Sequence, residues 1–263
     1  MPEAPSPTGP VAVAVSGGID SAVALGLCIE SMGAARVRAV FLETGYSDRA
    51  AAERVASFFG ADLEVLPVED DFRRLVIEES LALAGRGLTP NPCAICNRGI
   101  KLGLLPERLA ADETPATGHY VRHGPGGSVL RGLDSSRDQS YFLALVRGED
   151  LRRCLFPLGE LSRRQVLAES LRLGLWFTGG ESSQDLCFPM RDGRGVRPRE
   201  PGPIVYPDGR RIGTHRGLDR YTIGQRKGLG VSSGVPVYVS SLDPEANALI
   251  VTPLPAGGGS SPL

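Results

Sequence analysis

An α/β fold with a parallel sheet, followed by a smaller β domain, is predicted by three features of the 263-residue sequence. Short apolar runs alternate with helical stretches of about a dozen residues through the first part of the chain, the signature of βαβ units. The first apolar run, Val11 to Val15, passes directly into Ser16-Gly17-Gly18 and then into a helical pattern. From Gly202 onward the texture changes to short β-prone runs separated by Gly, Pro and Asp turns, as in a small all-β unit.

In chain order, Val11 to Val15 is apolar enough to be buried on both faces, and a helix is predicted over 22–32. Strands follow at 36–42 and 62–68. Between them, 48–59 reads as an Ala-rich helix with Ser47 as N-cap and Gly60 as terminator. An amphipathic helix covers 72–83. Thr89-Pro90-Asn91-Pro92 breaks the periodicity, because each proline pushes its predecessor out of the α region, and a helix is expected to resume at about Ile100. Residues 114–120 read as a strand end, 129–131 as one arm of a hairpin and 138–146 as a helix. Ser162 and Gln165 form a capping box for a helix over 162–173. Hairpins are predicted for 204–206 with 211–214, and for 235–242 with 248–252. The Arg-, Gly- and Pro-rich stretch 191–203 marks a boundary. It gives a first domain over 1–195 and a small β domain over 196–263, with a disordered tail from Pro253.

Composition narrows the class. Hydrophobic content of 41% and charged content of 22% are ordinary for a globular protein, and the formal charge of −1 supplies no global attraction to nucleic acid. The N-terminal residues lack the basic flank and apolar stretch of a signal peptide. No apolar run reaches the ~20 residues of a membrane span, so no membrane association is expected. Five cysteines, an odd number, argue for a reducing compartment, the cytoplasm, rather than a disulfide framework.

A strand, a Gly-rich turn and a helix N-terminus aim several backbone N–H groups at one point, which suits phosphate. The sequence at 16–21, SGGIDS, has neither the lysine of GxxxxGK[ST] nor the spacing of GxGxxG. Cys93-Ala-Ile-Cys96 is a CxxC, open to zinc, redox, and persulfide or iron–sulfur readings. Cys187 lies in the polar stretch ESSQDLCF, whereas Cys28 and Cys154 read as core thiols.

SGGIDS resembles the pyrophosphate loop of the ATP pyrophosphatases. Together with TPNPCAICNRGIK (89–101), ATGHYVR (116–122), LRGLDSSRDQSYFLALV (130–146), FPLGELSRRQV (156–166), SSQDLCF (182–188) and GTHRGLDRYTIGQRKGLG (213–230), it makes the chain resemble the tRNA-specific 2-thiouridylase family. The resemblance implies a parallel-sheet ATP-pyrophosphatase domain and a sulfurtransferase. Such an enzyme adenylates the wobble uridine of tRNA with ATP and Mg²⁺, then replaces O2 with sulfur. It places ATP at Ala14, Val15, Ser16, Gly17, Gly18, Ile19, Asp20, Ser21, Leu42 and Gly118, with Asp20 helping to place the metal. It assigns Cys96 as nucleophile and Cys187 as persulfide carrier, Asn91, Pro92 and Cys93 to the target base, and His119, Arg137, Asp138 and Gln139 to tRNA.

Many members carry aspartate where Cys93 stands, so Cys93, Cys96 and Cys187 are also candidate ligands of a [4Fe–4S] cluster carrying hydrosulfide. A helix N-terminus just after Cys96 is expected to favour its thiolate. The sulfur donor would be a persulfide relay protein or sulfide. The chain ends soon after Val251, where longer members continue into a C-terminal β-barrel, and it reads as a short form. Arg98, Lys101, Arg122, Arg131, Arg137, Arg226 and Lys227 could line a phosphate-binding stripe. Two other readings remain open: thiolation of a small molecule, or a non-catalytic persulfide- or RNA-binding protein. The intact SGGIDS loop argues against the second.

Overall fold

The structure, a computed structural model, describes residues 7–86, 88–125, 128–176 and 200–253. The chain divides into two compact units, Met1–Ile77 with Asn91–Pro189, and Glu78–Pro90 with Met190–Leu263. Nothing in the composition signals that 78–90 groups with the second unit.

In the first unit, strands β1 (Val11–Ala14), β2 (Val37–Glu43), β3 (Leu63–Pro67) and β4 (Thr114–Ala116) form the expected parallel sheet, in the order β3-β2-β1-β4. The apolar run of β1 is explained by its interior place, where Val11, Ala12 and Val13 are fully buried. Helix α1 (Ile19–Met32) starts three residues earlier than its apolar pattern, and Ala22 to Leu25 bury completely. Helix α2 (Arg49–Phe59) is capped by Asp48 Oδ1, which accepts from Ala51 N at 3.1 Å, and not by Ser47. Ser47 Oγ instead donates to Leu42 O at 3.1 Å and accepts from Thr44 N at 3.2 Å, closing the turn after β2. Gly60 ends α2 at φ +61°, as its sequence position suggests.

Residues 69–85 are helical throughout, as α3 (Glu69–Phe72), a π-helical stretch (Arg73–Glu78) and α4 (Glu79–Gly85). A second composite helix runs through α5 (Pro92–Cys96), a π-helical stretch (Asn97–Leu104) and α6 (Leu105–Arg108). It begins well before Ile100, and the reason is local. Pro92 occupies the first helical position, where its missing N–H costs nothing, and Asn91 Oδ1 accepts from Ala94 N at 3.2 Å as N-cap. The short strands β5 (Val121–His123) and β6 (Val129–Arg131) pair antiparallel. The helix expected at 138–146 shrinks to a 3₁₀ turn, Ser140–Leu143. Asp138 offers its carboxylate to nearby backbone N–H groups, a competitor to helix formation.

Helices α7 (Gly148–Arg153) and α8 (Arg163–Arg172) complete the unit. The capping box is present at α8: Ser162 Oγ accepts from Gln165 N and Gln165 Oε1 accepts from Ser162 N.

In the second unit, β7 (Gly202–Val205) pairs antiparallel with β8 (Arg211–His215), and β9 (Val237–Asp243) with β10 (Ala248–Pro253). The sequence shows both hairpins but not their union. A parallel pairing of β7 with β10 makes one sheet, β8-β7-β10-β9, over a core that includes Ile204, Leu218, Leu249 and Val251. His215 belongs to this frame: it is fully buried, bonds Asn247 O at 2.9 Å and accepts from Gly217 N at 3.1 Å.

Candidate nucleotide and thiol site

In an open parallel sheet, ligands sit outside the carboxyl ends of the strands. Here the ends of β2, β1 and β4 are neighbours, so Leu42, the 14–21 segment and Gly118 come to the same edge. Gly17 turns the loop at φ +85° and faces the first turn of α2 so closely that a Cβ would lie 2.8 Å from Ala51 C. Gly118 abuts the other side, where a Cβ would stand 3.0 Å from the Asp20 carbonyl carbon. Gly18, the α1 N-cap, has no side chain to occupy the first-turn amides, which leaves them suited to an anion. Ser21 staples the loop: its Oγ accepts from Ser16 N at 3.1 Å and donates to Gly18 O at 2.9 Å. With that proton committed to Gly18 O, Ser21 Oγ accepts from the hydroxyl of the exposed Ser16, 3.2 Å away, so both hydroxyls brace the loop.

Asp20 is held from two sides. Its Oδ1 accepts from Tyr120 Oη at 2.7 Å and from Arg163 Nη1, and Arg163 Nη1 also reaches Tyr120 Oη at 3.4 Å. Burial raises the Tyr120 pKa, and the adjacent Asp20 charge reinforces this. Burial acts to lower the pKa of Arg163, but Tyr120 and Asp20 outweigh it and raise the value. No sequence pattern marks Tyr120 or Arg163 as a site residue. Both do lie inside motif blocks, and the one local cue is a basic residue at the first position of a helix, against its dipole.

Cys93 and Cys96 are three apart on α5, hence on one helix face, with Cys93 partly exposed and Cys96 9% exposed. The expectation of a helix N-terminus just after Cys96 is incorrect. The helix begins at Pro92, so it is Cys93 that lies in the first turn, while Cys96 runs on into the π-helical stretch. Cys187 lies outside the described residues. Among the described residues, no group of three or more His, Cys, Asp and Glu side chains could hold a metal. Cys28 and Cys154 are buried, and burial pushes the Cys28 thiol up to about 12 and that of Cys154 higher still.

The residues assigned to tRNA divide. Asp138 Oδ1 accepts from Gly132 N and Ser140 N, both at 3.1 Å. Gln139 clasps Tyr120 through its side chain and its backbone: Oε1 accepts from Tyr120 N at 3.1 Å, and its own N–H donates to Tyr120 O at 3.2 Å. These bonds brace the 132–140 loop against Tyr120. His119 is buried, with Nδ1 2.8 Å from Thr117 Oγ1; burial, with the Lys101 charge, lowers its pKa to about 3. Arg137 is partly exposed, and the Arg131 side chain is 84% exposed. Arg122 donates to Arg131 O at 2.8 Å, which ties it to the β5–β6 hairpin.

Two family models match in sequence, the "tRNA methyl transferase HUP domain" over residues 9–191 and the "tRNA methyl transferase PRC-barrel domain" over 194–253. A protein of Chloroflexus aggregans named tRNA-specific 2-thiouridylase MnmA is 41% identical, over 94% of this chain and 76% of its own length. A Fervidobacterium nodosum protein of the same name is 38% identical over 93% and 76%. Among solved structures, an NH3-dependent NAD synthetase from Campylobacter jejuni aligns at a TM-score of 0.41 and 20% identity, over 64% of this chain and 65% of its own. At that level the likeness adds nothing to the assignment. The sequence matches run through both units at identities well above 30%, and on them the chain belongs to the tRNA-specific 2-thiouridylase family.

Proposed function

We propose that the chain is an ATP-dependent sulfurtransferase that forms 2-thiouridine at the wobble uridine of tRNA. The observation that carries the reading is the extent of the match: relatives named for this activity align over 94% of the chain, not over the loop alone. The family models carry the words methyl transferase, but a pyrophosphate-type loop and two cysteines on one helix face answer to adenylation and sulfur transfer.

ATP binds at the carboxyl edge of the parallel sheet, along Ala14 to Ser21, Leu42 and Gly118. Loop amides and the α1 N-terminus stabilise the phosphates as charge develops. Mg²⁺ on a polyphosphate takes one or two carboxylates besides phosphate oxygens, and Asp20 would be the loop's contribution. Uridine O2 attacks the α-phosphorus and pyrophosphate leaves. Asn91, Pro92 and Cys93, at the start of α5, contact the base, and the segment carrying His119, Arg137, Asp138 and Gln139 receives the tRNA. Given their bonds, Asp138 and Gln139 act by shaping the 132–140 loop.

Sulfur then attacks C2 and AMP departs with the original O2. As a persulfide on Cys187, supplied by a relay protein, the terminal sulfur is transferred and the Cys96 thiolate takes the inner sulfur. A Cys96–Cys187 disulfide results, which a thiol reductant reopens. In the cluster route, Cys93 and Cys96 would hold two irons of a [4Fe–4S] centre and Cys187 a third; thiolates are the donors such clusters use. The bound centre would present sulfide. Free thiols suit a reducing compartment, and no described helix is long and apolar enough to cross a membrane.

The test is incubation of the chain with unmodified tRNA, ATP, Mg²⁺ and either a persulfide donor or sulfide, followed by nucleoside analysis. The expected result is 2-thiouridine and pyrophosphate release that depends on tRNA. Release independent of tRNA, with no thiolated nucleoside, would favour a small-molecule acceptor.

A further inference from the structure

Helices α1 and α8 are tied at both ends. At one end Arg172 donates to both carboxylate oxygens of Glu30, at 2.8 and 2.6 Å, with side chains 49% and 46% exposed. At the other, Arg163 pairs with Asp20, with side chains 17% and 13% exposed. Near the Glu30–Arg172 tie, α1 comes so close to the C-cap of α8 that a Cβ at Gly26 would stand 2.8 Å from Leu173 Cδ1. The Glu30–Arg172 tie is a surface ion pair of the kind that contributes little. The Asp20–Arg163 tie is sheltered and sits beside the phosphate loop.

Helix stability does not explain Arg163. It occupies the first position of α8, where the helix dipole disfavours a cation, and Arg164 repeats the charge. The turn is fixed without it, by the Ser162–Gln165 box and by Asp134 Oδ2, which accepts from Arg163 N at 2.9 Å. That frame aims the guanidinium at Asp20. Tyr120, clasped by Gln139 and donating to the same Asp20 oxygen, completes the hold from a third segment.

We propose that Arg163 is a positioning residue of the nucleotide site, acting through Asp20: it fixes the carboxylate beside the pyrophosphate loop and shares with the nucleotide's Mg²⁺ the balancing of its charge. The proposal rests on the reading of the loop as an ATP site. Without the guanidinium, a partly buried carboxylate would lie next to the phosphates with its rotamer released and its charge met by the nucleotide's Mg²⁺ alone. Lysine keeps the charge but loses the planar fork.

The experiment is equilibrium dialysis of the full chain with ATP and magnesium, paired with thermal melting. Arg163→Ala is expected to weaken ATP binding about tenfold, as expected for coupled neighbours, and Arg163→Lys to recover most of it. Arg172→Ala, which cuts the other tie between the same helices, is expected to stay within about twofold of wild type. The decisive comparison is the Asp20→Asn background, where Arg163→Ala should change affinity by about twofold or less, because the partner through which it acts is gone. Equal effects in the two backgrounds overturn the proposal, as does an Arg163→Ala protein that melts and binds ATP like wild type. If Arg163→Ala fails to fold, Arg163→Gln carries the same cycle. A wild-type chain that binds ATP yet forms no thiouridine would sink the proposed function while leaving this cycle readable.

Discussion

Replacing Gly17 by alanine tests whether the loop geometry is the determinant of nucleotide binding. Gly17 has φ +85°, a conformation that costs an L-residue roughly 1–2 kcal/mol. Its new Cβ would collide with the Ala51 methyl and lie 2.8 Å from Ala51 C and 3.0 Å from Ala52 N. Carbon atoms in van der Waals contact normally settle at about 3.5–4.0 Å, so either the first turn of α2 retreats or the loop does. That turn is anchored by the Asp48 cap, and overpacking of this kind costs about 1–3 kcal/mol. The expected total is therefore about 2–5 kcal/mol, divided between lost stability and lost ATP affinity according to which side yields. Gly33 supplies the control. It too has φ +85°, but a Cβ there meets nothing within 4 Å, so Gly33→Ala carries a backbone cost without any collision. Urea unfolding gives stability, and equilibrium dialysis gives ATP affinity. If Gly17→Ala is no more destabilising than Gly33→Ala and binds ATP as wild type does, the close packing of loop on α2 has no energetic meaning and the reasoning fails.

Other expectations can be checked with the same protein. His119 is held neutral, with its pKa lowered from 6.5 to about 3. Below pH 6.5 the unfolded chain thus binds a proton that the folded site refuses. Stability is intact above pH 6.5 and falls toward pH 3, by at most about 1.4 kcal/mol per pH unit; urea unfolding from pH 7 to 5 should show a shallower slope for His119→Asn, and an unchanged slope would remove His119 as the source. Cys96→Ser should abolish thiouridine formation while ATP affinity stays within about twofold, since the cysteine enters after adenylation; retained thiolation would take Cys96 out of the chemistry. Replacing Arg131 and Arg137 together by alanine should flatten the log K versus log salt slope for tRNA by about 0.7–0.9 for each phosphate left without its arginine. An unchanged slope would assign both to solvated surface.

Whatever the chain states locally can be read from its sequence. The buried strand β1, the alternation that builds the parallel sheet, the Ser162–Gln165 capping box and the two hairpins of the second unit each need only a short window of residues. Sequence and structure part where one residue supports two local structures. Pro92 reads as a breaker, whereas at the first helical position it is an initiator, and the difference moves both cysteines from loop to helix. Asp138 has the look of a helix starter, but its carboxylate satisfies neighbouring backbone N–H groups and holds the chain in a turn.

The Asp20–Tyr120–Arg163 cluster is out of reach for a different reason. Its members are separated by 100 and 143 positions, and no periodicity links them. Their meeting depends on the sheet order that sets β4 beside β1, and on the close approach at Gly26 that brings α8 along α1. The motif blocks conceal this too. ATGHYVR and FPLGELSRRQV look like separate tokens, yet in three dimensions each contributes one hydrogen bond to a single carboxylate of SGGIDS. The loop is thus set by its own serines and glycines and also by residues on the segments expected to receive tRNA. Gln139 grips Tyr120, Tyr120 grips Asp20, and Asp134 fixes the turn from which Arg163 reaches it. A shift of the 132–140 loop would pass to the nucleotide site through these few bonds. The Asp20–Arg163 double-mutant cycle, measured with and without tRNA, would detect such coupling as a change in its interaction term.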